Sequence, residues 1–316
     1  MSSPRVVALG GGHGLFATLT SLRSLTSEIT AIVTVADNGG SSGRLREEFP
    51  IFPPGDLRMA LAALCSDDEW GRSWAEIMQY RFTSDGPLDG HAVGNLLLAA
   101  LWDRDEDPIE GLDRVGALLK VVGRVLPMAG EPLDIEATFL DQGEKKTVRG
   151  QKEVATTTGR FESVKLIPEN PKARPEALVA IAQADWITMG PGSWISSVLP
   201  HLLVPEQVIA LSNSQAKKIL LLNLDDVHTG EFSGRSALDH IAAVAKLAPQ
   251  LSFDFVVADT SLVQDPQAAE LLGEKVSTQG GELLVGDLRL QGSANHHDTK
   301  KLTSLFAHIA GKTLVG

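Results

Sequence analysis

The sequence predicts an α/β protein: a mostly parallel sheet with helices on both faces, carrying an inserted antiparallel hairpin region at about residues 123–168. Three observations predict it. An apolar run of buried-strand type, Arg5-Val6-Val7-Ala8-Leu9, enters a glycine cluster, after which Leu15, Leu19 and Leu22 recur at helical spacing. A second β-branched run, Ile29 to Ala36, completes a βαβ unit of about 30 residues, the size of a right-handed parallel crossover. Between 123 and 168 the texture changes to strand-like runs separated by turn signals such as Asp141-Gln142-Gly143.

Taken in order, the first strand, the first helix and the strand ending at Ala36 are followed by a polar, aperiodic stretch over 37–55, read as a binding or mobile loop. Helices are expected at 56–65, 70–80, 91–102 and 108–121; the third is apolar nearly all round and should be buried. Asp134 to Leu140, Thr147-Val148 and Phe161 to Ile167 supply the inserted strands. Alternation then resumes with helix 175–183, strand 185–189, helix 193–201, strand 218–222, helix 236–247 and strand 253–258. No Pro/Gly/Ser-rich linker separates the two α/β stretches, so residues 1–316 are expected to form a single domain.

The chain has 316 residues with 28 Lys and Arg against 40 Asp and Glu, a net charge of −12. That acidity, without a Lys/Arg cluster, argues against nucleic acid as the main partner, because the counterion-release contribution is missing. Cys65 is the sole cysteine, which excludes an internal disulfide framework or a Cys-based zinc site. The longest apolar stretches fall well short of the roughly 20 residues of a membrane span, and residues 1–5 are too short and polar for a signal peptide. A soluble, cytoplasmic protein is the expectation.

Candidate binding residues gather where strands meet glycines. Gly10, Gly11, Gly12, His13 and Gly14 lie between a strand and a helix, where glycines let the backbone approach an anion and the helix N-terminus adds positive charge. No Gly-Lys-Ser/Thr follows, and Leu15 replaces the third glycine of the dinucleotide fingerprint. Asp37 and Asn38 follow the second strand, where a carboxylate can meet a ribose or a metal, or simply end the strand in an Asx turn. Gly40, Ser41, Ser42 and Arg44 offer amides, hydroxyls and a guanidinium suited to phosphate oxygens. The Gly-x-Ser-x-Gly match at 39–43 lacks the strand-to-helix elbow of a hydrolase nucleophile.

Asp56 reads as an N-cap, and Arg58 carries the wrong sign for the helix dipole unless it faces an anion. His91 and Asn95 share one face of the apolar helix and form a pocket wall, against the alternative of a capping histidine and a self-satisfied core amide. Gly190, Pro191, Gly192 and Ser193 make a second strand–loop–helix turn. Two such turns at one sheet edge define a crevice at the strands' carboxyl ends. Asn223 closes a strand, and the acidic loop with Asp225, Asp226, His228 and Glu231 reads as a solvated turn. His296 and His297, as strand neighbours, would point to opposite faces and not share a ligand.

As a set, these motifs resemble the gluconeogenesis-factor (YvcK-like) family. The residues that carry the likeness are Ala8 to Leu15, the string Val35-Ala36-Asp37-Asn38-Gly39-Gly40-Ser41-Ser42-Gly43-Arg44, Pro53 to Arg58, Gly90 to Leu98 and Gly190 to Ser193. Asn223, Gly230-Glu231, Asp239-His240 and His297-Asp298 fit as well. The wider superfamily includes the CofD 2-phospho-L-lactate transferases, which act with magnesium on a deazaflavin. The resemblance implies a Rossmann-like domain that binds a UDP-sugar such as UDP-N-acetylglucosamine. It implies a regulatory role in cell shape and in growth on gluconeogenic carbon sources, without an established reaction.

On that resemblance the nucleotide pocket comprises Gly10–Gly12, Gly14, Asp37, Ser41, Ser42, Arg44 and Gly190–Ser193. No cofactor is implied for the regulator; magnesium enters only with the transferase alternative. A homo-oligomer, most simply a dimer, is expected because surfaces of such domains often dimerise. Two departures stand out: Asn38 occupies a position where the family has aspartate, which removes a metal ligand or base, and His13 replaces a Thr or Ser.

Overall fold

The computed structural model describes residues 3–105, 107–224 and 236–313. Its centre is a seven-stranded sheet in the order β10-β9-β8-β7-β1-β2-β3, every pairing parallel. The strands are β1 (Val6–Gly10), β2 (Ile29–Val33), β3 (Arg124–Pro127), β7 (Trp186–Met189), β8 (Lys217–Leu221), β9 (Phe255–Asp259) and β10 (Glu282–Gly286). β1, β2 and β7 are apolar or β-branched and buried almost throughout, as strands covered on both faces must be.

The topology fixes where a ligand can sit. From β1 the chain steps outward through β2 to β3, whereas from β7 it steps the opposite way through β8 and β9 to β10. Right-handed crossovers in opposite directions place their helices on opposite faces. α1 (Gly12–Leu22) packs with α3 (Pro54–Ala63) and with the C-terminal α12 (Thr299–Thr313). α8 (Pro175–Gln183) packs with α9 (Pro205–Asn213), and α10 (Ala237–Leu247) with α11 (Pro266–Thr278). The strand order reverses between β1 and β7, and the crevice of an open α/β sheet opens at such a reversal.

The expected inserted region is present as a three-stranded antiparallel sheet, β4 (Asp134–Asp141), β5 (Glu144–Arg149) and β6 (Arg160–Ile167), in the order β5-β4-β6. It begins later than the change of texture suggests, because Arg124–Pro127 joins the main sheet beside β2. A short helix, α7 (Gln151–Thr156), lies between β5 and β6.

Three expectations are corrected. The aperiodic stretch 37–55 contains α2 (Gly40–Glu48), because Gly40 takes the positive φ that starts the helix and Arg44 to Glu48 sustain it. The helix expected at 193–201 is a π-helical turn, Trp194–Val198, followed by a 3₁₀ turn, Leu199–Leu203. α5 (Val93–Arg104) buries Gly94, Asn95, Leu98, Ala99 and Trp102 but leaves Ala100 exposed and Leu96, Leu97 and Leu101 half-buried, so it is covered on one side only. The helices α4 (Glu69–Gln79) and α6 (Pro108–Leu119) stand where periodicity placed them. Among the described residues no single helix is long and apolar enough to cross a membrane.

Candidate functional site

A cavity of about 510 Å³ opens at the carboxyl ends of β1 and β7. Its floor is the two glycine turns. Gly11, Gly12, His13 and Gly14 come from the β1–α1 turn, and Gly192, Ser193, Trp194, Ser196 and Ser197 from the segment after β7. The turns touch backbone to backbone. A Cβ on Gly14 would lie 2.5 Å from the Pro191 carbonyl carbon and 2.8 Å from the Gly192 Cα, and closer still to the Pro191 oxygen. Only glycine permits that approach. Thr18 Oγ1 donates to the Gly190 carbonyl at 3.3 Å and ties α1 to the second turn. Ser193 caps its own turn, its Oγ accepting the Ser196 N–H at 3.2 Å, while also lining the cavity.

The start of α1 carries no side-chain cap. Beyond the Gly12 N–H, which goes to Asp56, the amides of His13 and Gly14 stand at the cavity floor with the positive end of the helix dipole, an arrangement suited to phosphate oxygens. Beneath them Asp56 is buried in the first turn of α3. Its carboxyl accepts from Thr34 Oγ1 at 3.2 Å and from the Gly12 N–H. Asp56 is thus a strut for the first glycine turn, and Pro53 takes the N-cap position expected of it. Burial, with the Asp37 charge beside it, pushes the Asp56 carboxyl up to about 7. His201 supports the same turn from below: Nε2 donates to the Gly10 carbonyl at 3.4 Å and Nδ1 accepts from Gln207 Nε2 at 2.9 Å. Complete burial lowers this imidazole to about 4.

The other expected residues form a second group alongside. Ser41 Oγ meets His91 Nδ1 at 3.0 Å and accepts Asn95 Nδ2 at 2.9 Å, and Asn95 Oδ1 accepts Arg58 Nε at 2.8 Å. Burial brings the Arg58 guanidinium down to about 10. Ser42 Oγ accepts the Gly55 N–H at the start of α3, and Arg44 donates to the carbonyls of Pro87 and Asp89. Asp37 Oδ1 accepts the Gly39 N–H, and both amide atoms of Asn38 are engaged by α7. None of Asp37, Asn38, Gly40, Ser41, Ser42 or Arg44 lines the cavity. They surround its support, and Arg58 reaches His13 only electrostatically. Asn223 does line the cavity.

Seven wall residues carry no motif in the sequence: Gln151 and Ala155 on α7, Trp194, Ser196 and Ser197 in the π-helical turn, and Ala294 and Asn295 before His296. His296 and His297 both border this cavity; His297 forms a β-bridge with Arg289 and is buried, while its neighbour His296 is exposed. The His296 ring meets His13 edge to face, with centroids 5.5 Å apart. Burial, then His296, Arg58 and Arg81, hold His13 below the usual imidazole range. His297 is buried, lowered to about 4, and its Nε2 has no hydrogen-bond partner among the described residues. A helical or strand period could not announce so short a pairing. The only signal was the His-His-Asp string itself.

Asp225, Asp226, His228 and Glu231 lie outside the described residues. Among the described residues no group of three or more His, Cys, Asp or Glu side chains could hold a metal ion. Asp37 and Asp56 are neighbouring carboxylates; Asp56 Oδ2 accepts from Thr34, and the Arg58 charge lies nearby.

Comparison with known proteins places this geometry. The family model described as 2-phospho-L-lactate transferase CofD matches residues 6–289. A Mycobacterium leprae protein is 45% identical over 308 residues, covering 96% of this chain and 86% of its own length. A Listeria innocua protein named gluconeogenesis factor is 33% identical over 320 residues, covering 98% of this chain and 97% of that one. The crystal structure of a UPF0052 family member from Bacillus halodurans superposes with a TM-score of 0.81 at 31% identity, covering 97% of this chain and 99% of the other.

Proposed function

Since this chain belongs to the CofD family and has full-length relatives named gluconeogenesis factor, we propose that it is a regulatory protein whose cleft binds a UDP-sugar such as UDP-N-acetylglucosamine. The observation that carries the reading is the contact between two glycine turns at the reversal of strand order, beside the N-terminus of α1. Backbone amides there suit a diphosphate, and a cavity of about 510 Å³ falls within the size range of small-molecule sites. The amides of Gln151 and Asn295 around the rim carry the paired donors and acceptors that a uracil edge or an N-acetyl group requires. Main sheet, inserted helix and C-terminal turn all contribute walls, which supports treating the chain as one functional unit.

The test is a thermal-shift and calorimetric panel of UDP-N-acetylglucosamine, UDP-glucose, UMP, NAD, GTP and FAD. A ligand at one hundred times its Kd stabilises by about 2.7 kcal/mol, so a true ligand gives a clear rise in melting temperature. Absence of a shift with any uridine nucleotide overturns the proposal. Deletion of the gene should spare growth on glucose and impair growth on gluconeogenic carbon sources. The transferase reading, carried by the family description, predicts turnover of a deazaflavin with an activated phospholactate and magnesium.

A further inference from the structure

Asn38 stands outside the cavity, yet it is the side chain that joins the main body to the wall-forming helix α7. Its Nδ2 donates to Glu153 Oε2 at 2.9 Å, and its Oδ1 accepts the Lys152 N–H at 3.1 Å. Gly150, immediately before α7, has φ +106, and a Cβ there would collide with Asn38 Nδ2 and the Glu153 carboxylate. The amide is therefore seated in a fitted notch, with one donor and one acceptor each matched. Two residues of α7, Gln151 and Ala155, face the cavity, and the helix also packs against the π-helical turn 194–198, which lines the same cavity.

We propose that α7 is the wall that sets what fits beyond the diphosphate, and that Asn38 is a positioning residue that holds this wall closed through Glu153 and the Lys152 amide. This rests on the cleft being the ligand site. The chemistry requires an amide. An aspartate at 38 would keep the acceptor for Lys152 but place a second carboxylate against Glu153, turning a charge-assisted hydrogen bond into a like-charge contact. Asparagine is the side chain of that size that can serve both partners, one donor and one acceptor. The acid it serves is held below the usual carboxylate range, chiefly by that same bond.

The experiment pairs Asn38→Asp with the double variant Asn38→Asp/Glu153→Gln, in the full-length protein, and reads two quantities. Hydrogen exchange of amides 150–156 should be about five-fold faster in N38D at pH 7.5 and return toward wild type in the double variant, where a neutral amide again faces the acid. The Kd for UDP-N-acetylglucosamine should rise by a similar factor in N38D and recover in the double variant, whereas UMP, which does not reach beyond the nucleotide, should change less. Unaltered exchange in N38D overturns the proposal, as does faster exchange that the second substitution fails to reverse. Faster exchange with an unaltered Kd overturns α7 as a determinant of the site. If the wild type binds no uridine nucleotide, the functional reading has failed, and the exchange data alone still decide whether Asn38 holds α7. Glu153→Gln alone, which keeps an acceptor opposite Asn38, serves as the folding control and should exchange within two-fold of wild type.

Discussion

The contact of the two glycine turns is most directly probed by Gly14→Ala. The added methyl would sit at 2.5 and 2.8 Å from two backbone atoms of the second turn, and nearer still to the Pro191 oxygen. Carbon–carbon contact begins near 3.5 Å, so the turns must separate by roughly 1 Å. No flexible side chain can absorb this, because all three obstacles are main chain. Overpacking of this kind costs about 1–3 kcal/mol, and the helical preference of alanine over glycine returns up to about 1 kcal/mol. The net expectation is a loss of about 1–2 kcal/mol, read by urea unfolding, together with a drop in UDP-N-acetylglucosamine affinity of at least about ten-fold, because a 1 Å displacement moves the floor amides off the phosphate. Gly311→Ala, where the added methyl meets nothing, is the control and should not destabilise. If G14A unfolds and binds as the wild type does, the two turns are not held together as described, and the argument for a shared phosphate floor fails.

Other outcomes follow from the same framework. Ser41→Ala strands the Asn95 amide and the His91 ring in a buried setting and should cost about 2 kcal/mol in urea unfolding, with nucleotide affinity nearly unchanged. The Asp56 carboxyl, raised to about 7 in the folded state, binds its proton more tightly there than when unfolded. Its contribution is full below about pH 4 and is lost as pH rises toward 7, so Asp56→Asn should stabilise the protein relative to wild type at pH 8 more than at pH 5. His201 and His297, both lowered to about 4, act in the reverse sense: their contribution is full above about pH 6.5 and lost as pH falls to 4, and His201→Gln should flatten that acid limb of the stability profile.

The sheet was legible because parallel strands buried on both faces are written as unbroken apolar runs: Val6 to Leu9, Ile29 to Val33, Trp186 to Met189. The glycine turns were legible because a strand, a glycine cluster and a helical repeat in succession admit few alternatives. What was not legible followed from the absence of period. Gly40 to Glu48 is polar but for Leu45, its single hydrophobic side chain, so nothing in its spacing marks a helix. Gln151–Thr156 is a turn and a half, too short to show an apolar face, and only its Val154 is buried. The segment carrying His296 and His297 pairs only through a single bridge to Arg289, too short for a repeat to mark it as a cavity wall.

The motif residues with the richest side-chain chemistry, Ser41, Ser42, Arg44, Asp56, His91 and Asn95, are bonded to one another or to nearby backbone. A buried hydroxyl or amide left unpaired costs about 1–3 kcal/mol, so a dense polar string tends to satisfy itself before it can serve a ligand. The cavity instead presents main-chain groups on its floor and side chains from α7, Asn223 and the 294–297 turn at its rim. The polar string acts mechanically, since Asp56 and Thr34 fix the Gly11–Gly12 peptide, and a Cβ on Gly11 would come within 2.5 Å of the Asp56 carboxylate. Floor affinity should therefore depend on buried residues that never meet the ligand, and selectivity on rim residues that carry little stability. Thr34→Val, which removes one strut without opening space, should weaken UMP and UDP-N-acetylglucosamine by the same factor. Asn295→Ala should separate the two ligands while leaving the urea midpoint where it was. The opposite pattern, with Thr34 discriminating and Asn295 stabilising, would show that floor and rim are not divided in this way.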